Sequence, residues 1–177
     1  NIVDRATTII KKHFEEKGFK NAEVNIKQTD DLTHENEVIV DIYVDKKEKV
    51  KVHKIYIDGN EVLSDRKIKW AMKKTNEKGN LLHLFRTKKF VEENYKNDKN
   101  LIIEKYNELG YRDAAIVNDS VVRYNDKTVD VYLTIDEGKK YYIRNIDWVG
   151  NTIYPSDYLS AVLGMKLGDV YNQKMLN

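Results

Sequence analysis

The chain repeats itself at a fixed offset. Ile55-Tyr56-Ile57-Asp58-Gly59-Asn60 returns as Ile146-Asp147-Trp148-Val149-Gly150-Asn151, a shift of 146 − 55 = 91. The same shift carries Val38, Val40, Ile42 and Val44 onto Val129, Val131, Leu133 and Ile135. A shift of 92 carries Gly18-Phe19 onto Gly110-Tyr111 and Ala22 onto Ala114. A period of about ninety residues is too long for a solenoid, whose repeats run from about 20 to 50 residues. It is the size of a small domain. The chain is therefore read as part of a tandem domain array, and arrays of this kind bind more often than they catalyse.

Composition supports that reading and removes several function classes. At 177 residues the chain could hold one medium domain or two small ones, and the repeat favours the small ones. A unit of that size buries a modest fraction of its surface and has little room for a deep pocket. The formal net charge is +2 with 34% charged residues, which gives no field strong enough to imply nucleic acid. There is no cysteine, so disulfides, thiolate metal sites and cysteine nucleophiles are excluded. No apolar run reaches the roughly 18 residues needed to span a bilayer, and no signal peptide is present. Asn1 is not an initiator Met and falls inside a helical pattern, so we read the chain as a segment of a longer protein.

The elements follow from periodicity and punctuation. Val3, Ala6, Ile10 and Phe14 predict a helix with one buried stripe, ended by Gly18 as a left-handed cap with Phe19 folding back. Val24 and Ile26 begin a strand, and a polar loop from Asp30 to Glu37 leads to another. There Val38, Val40, Ile42 and Val44 alternate with Ile39, Asp41 and Tyr43, which predicts a half-buried strand. Val50 and Val52 then lie on opposite parity to Ile55 and Ile57, as Tyr141 and Ile143 do to Ile146 and Trp148. This phase slip predicts a bulge or break, and we place the unit boundaries there. Ser64 is the expected N-cap of a helix burying Ile68, Ala71 and Met72. Its counterpart, with Leu159, Val162 and Leu163, follows Pro155. Thr75 to Phe90 reads as a loop, with a helical turn at Leu81–Phe85. A second helix turns Ile102, Tyr106 and Leu109 inward and ends at Gly110-Tyr111. Strands from Ala114 to Arg123 and from Thr128 to Ile135 flank a turn at Asn125-Asp126.

The expected class is α+β, built from tandem β-α-α-β-β units. Each unit is a three-stranded mixed sheet with two helices on one face. Residues 1–49 supply the back half of one unit, 50–139 a complete unit and 140–177 the front half of another. The first and last strands of a unit should run parallel and the last two antiparallel. With the last strand central, the second strand has one partner and an open edge. The two partial units are complementary, so two chains could complete one unit head to tail.

Catalytic chemistry is hard to find. His13, His34, His53 and His83 are scattered, without a ligand-bearing partner at helical spacing, and read as surface residues. No nucleophile elbow, phosphate loop, dinucleotide fingerprint or calcium loop occurs. Asp30-Asp31 and Glu92-Glu93 are adjacent pairs whose side chains diverge. No enzyme, cofactor or metal site is expected. The basic run Lys46 to Lys54 could meet phosphates or lipid headgroups. It reads better as a connector whose lysines discourage edge pairing. Among twelve tyrosines, Tyr106 is expected in the core, and Tyr43 and Tyr132 on exposed strand positions.

The order strand–helix–helix–strand–strand in tandem, with Ile-x-x-x-Gly-Asn closing the first strand, resembles the polypeptide-transport-associated (POTRA) domains of outer-membrane β-barrel assembly factors. Ile55 to Asn60 and Ile146 to Asn151 carry this resemblance. So do Gly110-Tyr111-Arg112-Asp113-Ala114, Ile135-Asp136-Glu137-Gly138 and Gly168-Asp169-Val170-Tyr171-Asn172. The first copy departs at its boundary turn, with Asp45-Lys46-Lys47 in place of Asp136-Glu137-Gly138.

The resemblance implies a periplasmic arm ahead of a membrane barrel. Such an arm receives unfolded outer-membrane proteins and docks accessory lipoproteins, with no role for nucleic acid. An open edge suits that task, because main-chain hydrogen bonds give affinity with little sequence demand. The candidate edge residues are Ala115, Ile116, Val117, Asn118 and Asp119 in the complete unit, and Val24, Asn25, Ile26 and Lys27 in the first. The plain alternative is that these strands only build sheet. Gly59 and Gly150 read as turn requirements. Two rivals remain: a KH-type RNA-binding module, which would need a Gly-x-x-Gly loop where only Gly79 stands, and POTRA units serving two-partner secretion, chloroplast import or division.

Overall fold

Residues 51–136 assemble in the order the patterning implies. The computed structural model describes residues 2–78 and 88–175, so the helical turn expected at Leu81–Phe85 and His83 lie outside it. The elements are α1 (Ile2–Glu16), β1 (Glu23–Asp30), β2 (Val38–Asp45), β3 (Lys51–Asp58), α2 (Asp65–Ala71), α3 (Glu92–Glu108), β4 (Ala115–Asn125), β5 (Thr128–Asp136) and α4 (Ser156–Leu163), with a 3₁₀ turn at Gln173–Met175. Three strands form one sheet in the order β3-β5-β4, with β5 parallel to β3 and antiparallel to β4.

One face of that sheet makes the core. Val52, Ile55, Val131 and Leu133 pack with Ile68 and Met72 from the α2 region and Ile102 and Tyr106 from α3. On α3, Tyr95, Asp98, Ile102 and Tyr106 recur at three- and four-residue spacing and are all buried. The phase slip after Val52 is a bulge: the register of β3 on β5 shifts between Val52 and Lys54, leaving His53 unpaired in the ladder. The strand continues through it, so the slip marks an irregularity within β3.

The repeated motifs are structural devices. Gly18 and Gly110 both have φ of +92°, and both close their helices with a pair of bonds. Phe19 N donates to Phe14 O and Gly18 N to Glu15 O, just as Tyr111 N donates to Tyr106 O and Gly110 N to Asn107 O. Asn60 Nδ2 donates to Leu63 O at 2.8 Å, and Asn151 Nδ2 to Tyr154 O at 3.2 Å, so each motif asparagine ties down the loop before its helix. Gly59 approaches β5 so closely that a Cβ there would sit 2.1 Å from Ile135 O. The boundary turn whose sequence departs keeps its shape. Lys47 N donates to Asp45 Oδ1 and Gly138 N to Asp136 Oδ1, both at 3.0 Å, and Lys47 takes a left-handed φ of +51° where Gly138 has +64°.

Two expectations need correction. The apolar face of β2 is exposed rather than half-buried, from 42% at Val44 to 52% at Val40 and Ile42. β2 pairs only with β1, and α1 packs chiefly against β1. The stripe of α1 is itself only half-buried, and none of its residues is buried outright. Ser64 holds the N-cap position of α2 without a side-chain bond to the helix. Lys67 N and Ile68 N donate instead to its main-chain carbonyl.

Candidate strand-accepting edge

A three-stranded sheet with β5 in the centre has two outer strands, and they are treated differently. The outer side of β3 is occupied. Val52 N donates to Lys88 O, and Lys78 N and Phe90 N donate to the carbonyls of Val52 and Val50. Ile55 N donates to Glu77 Oε1 at 2.9 Å, and Lys69 Nζ holds the same oxygen at 2.8 Å. Among the described residues β4 pairs with β5 alone and β1 with β2 alone. Unpaired main-chain donors and acceptors are therefore offered along β4 and along both strands of the β1–β2 sheet, while the outer side of β3 is filled up to Ile55.

The candidate residues fall on β4 and β1. Ala115 and Ile116 lie opposite Asp136 and Ile135, and Asn118 and Asp119 opposite Thr134 and Leu133. Val117 is skipped by the ladder at a bulge and is 59% exposed. Val24, Asn25, Ile26 and Lys27 lie opposite Val44, Tyr43, Ile42 and Asp41. The two groups sit in separate sheets, so no single surface unites them. A second bulge shifts the register between Arg123 and Asn125, and bulges at both ends increase the twist of β4.

The helix side of the β4 edge carries charge. Asp119 shares the face of buried Leu133 and pairs with Lys99 Nζ from α3 at 2.8 Å. Beside it the Tyr95 hydroxyl is pushed up well beyond its ordinary range, first by burial and then by the negative charge of Asp119. The opposite face bears aromatic side chains. Tyr56 stacks on Tyr132 with ring centres 4.8 Å apart, and His53 stacks on Tyr124 at 3.9 Å. Tyr43 and Tyr132 are exposed and Tyr106 is fully buried, as their strand and helix phases imply. This constellation can bind main chain and pack side chains, and it brings no nucleophile to a general base.

Several polar groups escaped the pattern reading. Asp98 is 1% exposed and accepts from the main-chain N–H of Lys73, Lys74 and Thr75, at 2.8, 3.0 and 2.6 Å. Glu137 accepts from Val62 N at 2.9 Å and from the Tyr106 hydroxyl at 2.8 Å. Burial, with that acceptor, pushes the Tyr106 hydroxyl up beyond its usual range. The Glu137 of the boundary motif is the one signal that could have flagged such a bond. Two histidines are less isolated than their spacing suggests. His53 Nδ1 lies 2.8 Å from Asp130 Oδ1, and His34 gathers with Asp31 and Glu37 in the β1–β2 loop, ligand atoms within 4.8 Å. The loop cluster is largely solvent-exposed, and nothing in it besides these side chains points to an ion. In the basic run, Lys46 and Lys49 lie over the Phe19 ring at 5.7 and 5.1 Å, so part of it covers an aromatic at the unit boundary.

A strand–helix–helix–strand–strand unit with β4 paired on one side only defines a small modular α+β domain. The chain belongs to the POTRA family, described as a surface antigen variable number repeat, which matches residues 50–138 and 141–177. It is similar to the outer membrane protein assembly factor BamA of Neisseria meningitidis serogroup B, 30% identical over 86% of this chain and 20% of that protein. It is also similar to BamA of Buchnera aphidicola from Acyrthosiphon pisum, 24% identical over 94% of this chain and 25% of that protein. The chain thus spans a quarter or less of the length of these relatives. A crystal structure of POTRA domains 3–5 of Haemophilus influenzae BamA shares the fold, with a TM-score of 0.53 at 20% identity. That match covers 98% of this chain and 65% of the other.

Proposed function

We propose that this chain is a periplasmic segment of an outer-membrane protein assembly factor that receives unfolded β-barrel polypeptides by strand addition. Residues 1–49 are the C-terminal half of one POTRA unit, 50–139 a complete unit and 140–177 the N-terminal half of the next, and β4 of the complete unit is the receiving edge. β1 is the equivalent edge of the preceding unit. The observation that carries this reading is the asymmetry of the sheet: the β3 edge is filled from Val50 to Ile55, while β4 has a partner on one side only. An incoming strand gains main-chain hydrogen bonds along β4, and the bulge at Val117 sets where pairing begins. The role is binding without catalysis, and the names of the similar proteins favour assembly over secretion or division. Docking of accessory lipoproteins rests on the family resemblance alone.

Amide chemical-shift titration with a peptide from the terminal strand of an outer-membrane barrel tests the proposal. Shifts concentrated between Ala115 and Asn125 are expected. No shifts at millimolar peptide would reject client capture by this edge and leave a spacer or lipoprotein scaffold.

A further inference from the structure

The boundary between units is built twice in this chain from equivalent atoms. The carbonyl of the helix-capping glycine accepts an N–H from the start of the following unit: Val50 N donates to Gly18 O at 3.0 Å, and Tyr141 N donates to Gly110 O at 2.9 Å. One step on, Phe90 N donates to Val50 O at 2.8 Å, and Tyr171 N to Tyr141 O at 3.0 Å. One further, Val52 N donates to Lys88 O and Ile143 N to Asp169 O. A hydrogen-bonded run therefore leads from the last turn of one unit's helix, across the opening segment of the next, to the segment behind it. A helix C-terminus leaves carbonyls without partners, and here the next unit supplies one.

Side chains close over the same place. Lys89 and Val170, equivalent residues of the backing segment, lie against the two glycines. Two positions after each glycine stands a cation on an aromatic ring of the following unit: Lys20 Nζ is 4.7 Å from the Phe90 ring centre, and the Arg112 guanidinium 4.2 Å from that of Tyr141. At the second boundary the Tyr141 hydroxyl donates to Asp113 Oδ2 at 2.5 Å, which holds the Asp113 carboxyl below its ordinary range. The connecting segments are folded too, each by the aspartate turn at Asp45 or Asp136. A flexible linker has none of these features.

We propose that this clasp locks successive units in one fixed orientation, so the array is stiff at both boundaries. Gly110 is the tightest point of the second clasp, because a Cβ there would overlap the Val170 side chain. The two copies differ in one way that makes the idea testable. A Cβ at Gly110 would meet Val170 Cγ1 at 2.4 Å, whereas one at Gly18 would meet the stem of Lys89 less closely, Cδ at 3.0 Å and Cβ at 3.2 Å. Both substitutions carry the same left-handed backbone strain, so their difference isolates the contact between units.

The chain has no cysteine, so paired spin labels report distances without interference. Labels at Arg5→Cys with Glu104→Cys span the first boundary, and Glu104→Cys with Asp157→Cys the second. Both pairs are expected to give a single narrow distance distribution. Gly110→Ala should about double the width across the second boundary, because a β-branched valine has few rotamers into which it can retreat. Gly18→Ala should leave the first boundary narrow. Adding Val170→Ala to Gly110→Ala should restore the narrow distribution. In the Gly110→Ala chain the Arg5–Glu104 pair also reports whether α3 remains folded. Broad distributions in the unsubstituted chain would overturn the proposal. So would equal broadening by both glycine substitutions, or no response to Gly110→Ala.

Discussion

Asp98 carries more of the complete unit than its residue type suggests. A carboxylate on the buried face of a helix looks like an error in the apolar stripe of α3. In the fold it gathers three main-chain donors, Lys73, Lys74 and Thr75, from the irregular segment that follows α2. Hydrogen bonds to a charged acceptor contribute about 1.5–3 kcal/mol each, and orphaned buried donors cost about 1–3 kcal/mol. These are not additive, since the freed loop can reach water. Asp98→Ala should therefore destabilise the chain by about 3 kcal/mol, with Asp98→Asn in between because one acceptor oxygen remains. Denaturant unfolding with an unchanged slope is the check. Glu137, Asn60 and Gly59 belong to the same group: residues quoted as motif, whose work is to tie loops and strands together.

At the scale of elements, the informative contrast is between β3 and β4. Both are outer strands of one sheet. The chain spends Glu77, Lys78, Lys88 and Phe90 on filling the edge of one and leaves the other open. Edge strands invite aggregation, and β4 is blunted by two bulges and by charges at Asp119 and Arg123. Enough edge remains for one guest strand. Val117 is exposed at the bulge, so Val117→Lys should change stability by no more than about 0.5 kcal/mol. A lysine on an edge discourages pairing, so the same substitution should weaken peptide-induced shifts along β4. Full retention of those shifts would argue that the peptide sits elsewhere. The stacking of Tyr56 on Tyr132 accounts for two exposed tyrosines as cross-strand packing.

For the whole molecule, stability should be uneven. The complete unit has the core, while α1 buries no residue and β2 leaves its apolar face in solvent. A two-stranded sheet is marginal by itself. Amides of β1 and β2 should exchange at least about tenfold faster than those of β5, reflecting local opening below the global free energy. Equal protection would mean the two sheets unfold as one. The boundary clasp predicts an exception: Val50 and Tyr141, whose N–H groups it uses, should exchange slowly for residues between units.

Much of this was legible because the local rules point the same way. Helix stripes, capping glycines, strand parity and the tandem offset set the element order and the parallel pairing of β3 with β5. The alternation of Val38 to Val44 was equally clear but could say only which face is apolar. Burial depends on a covering layer, and that is a property of neighbours. Asp98, Glu77 and the His53–Asp130 contact were invisible for a related reason: their partners lie 22 to 77 positions away and carry no periodic signal. The first copy departs from the boundary motif at Lys47, yet the Asp45 side chain holds the same turn and a non-glycine residue accepts the left-handed φ.

By itself the sequence determined the unit, its repetition and its family, because these rest on spacings along one chain. Only the tertiary structure decided how the outer side of β3 is filled and how one unit is clasped to the next. Those depend on main-chain groups, and every residue carries nearly the same main chain, so no residue type announces them.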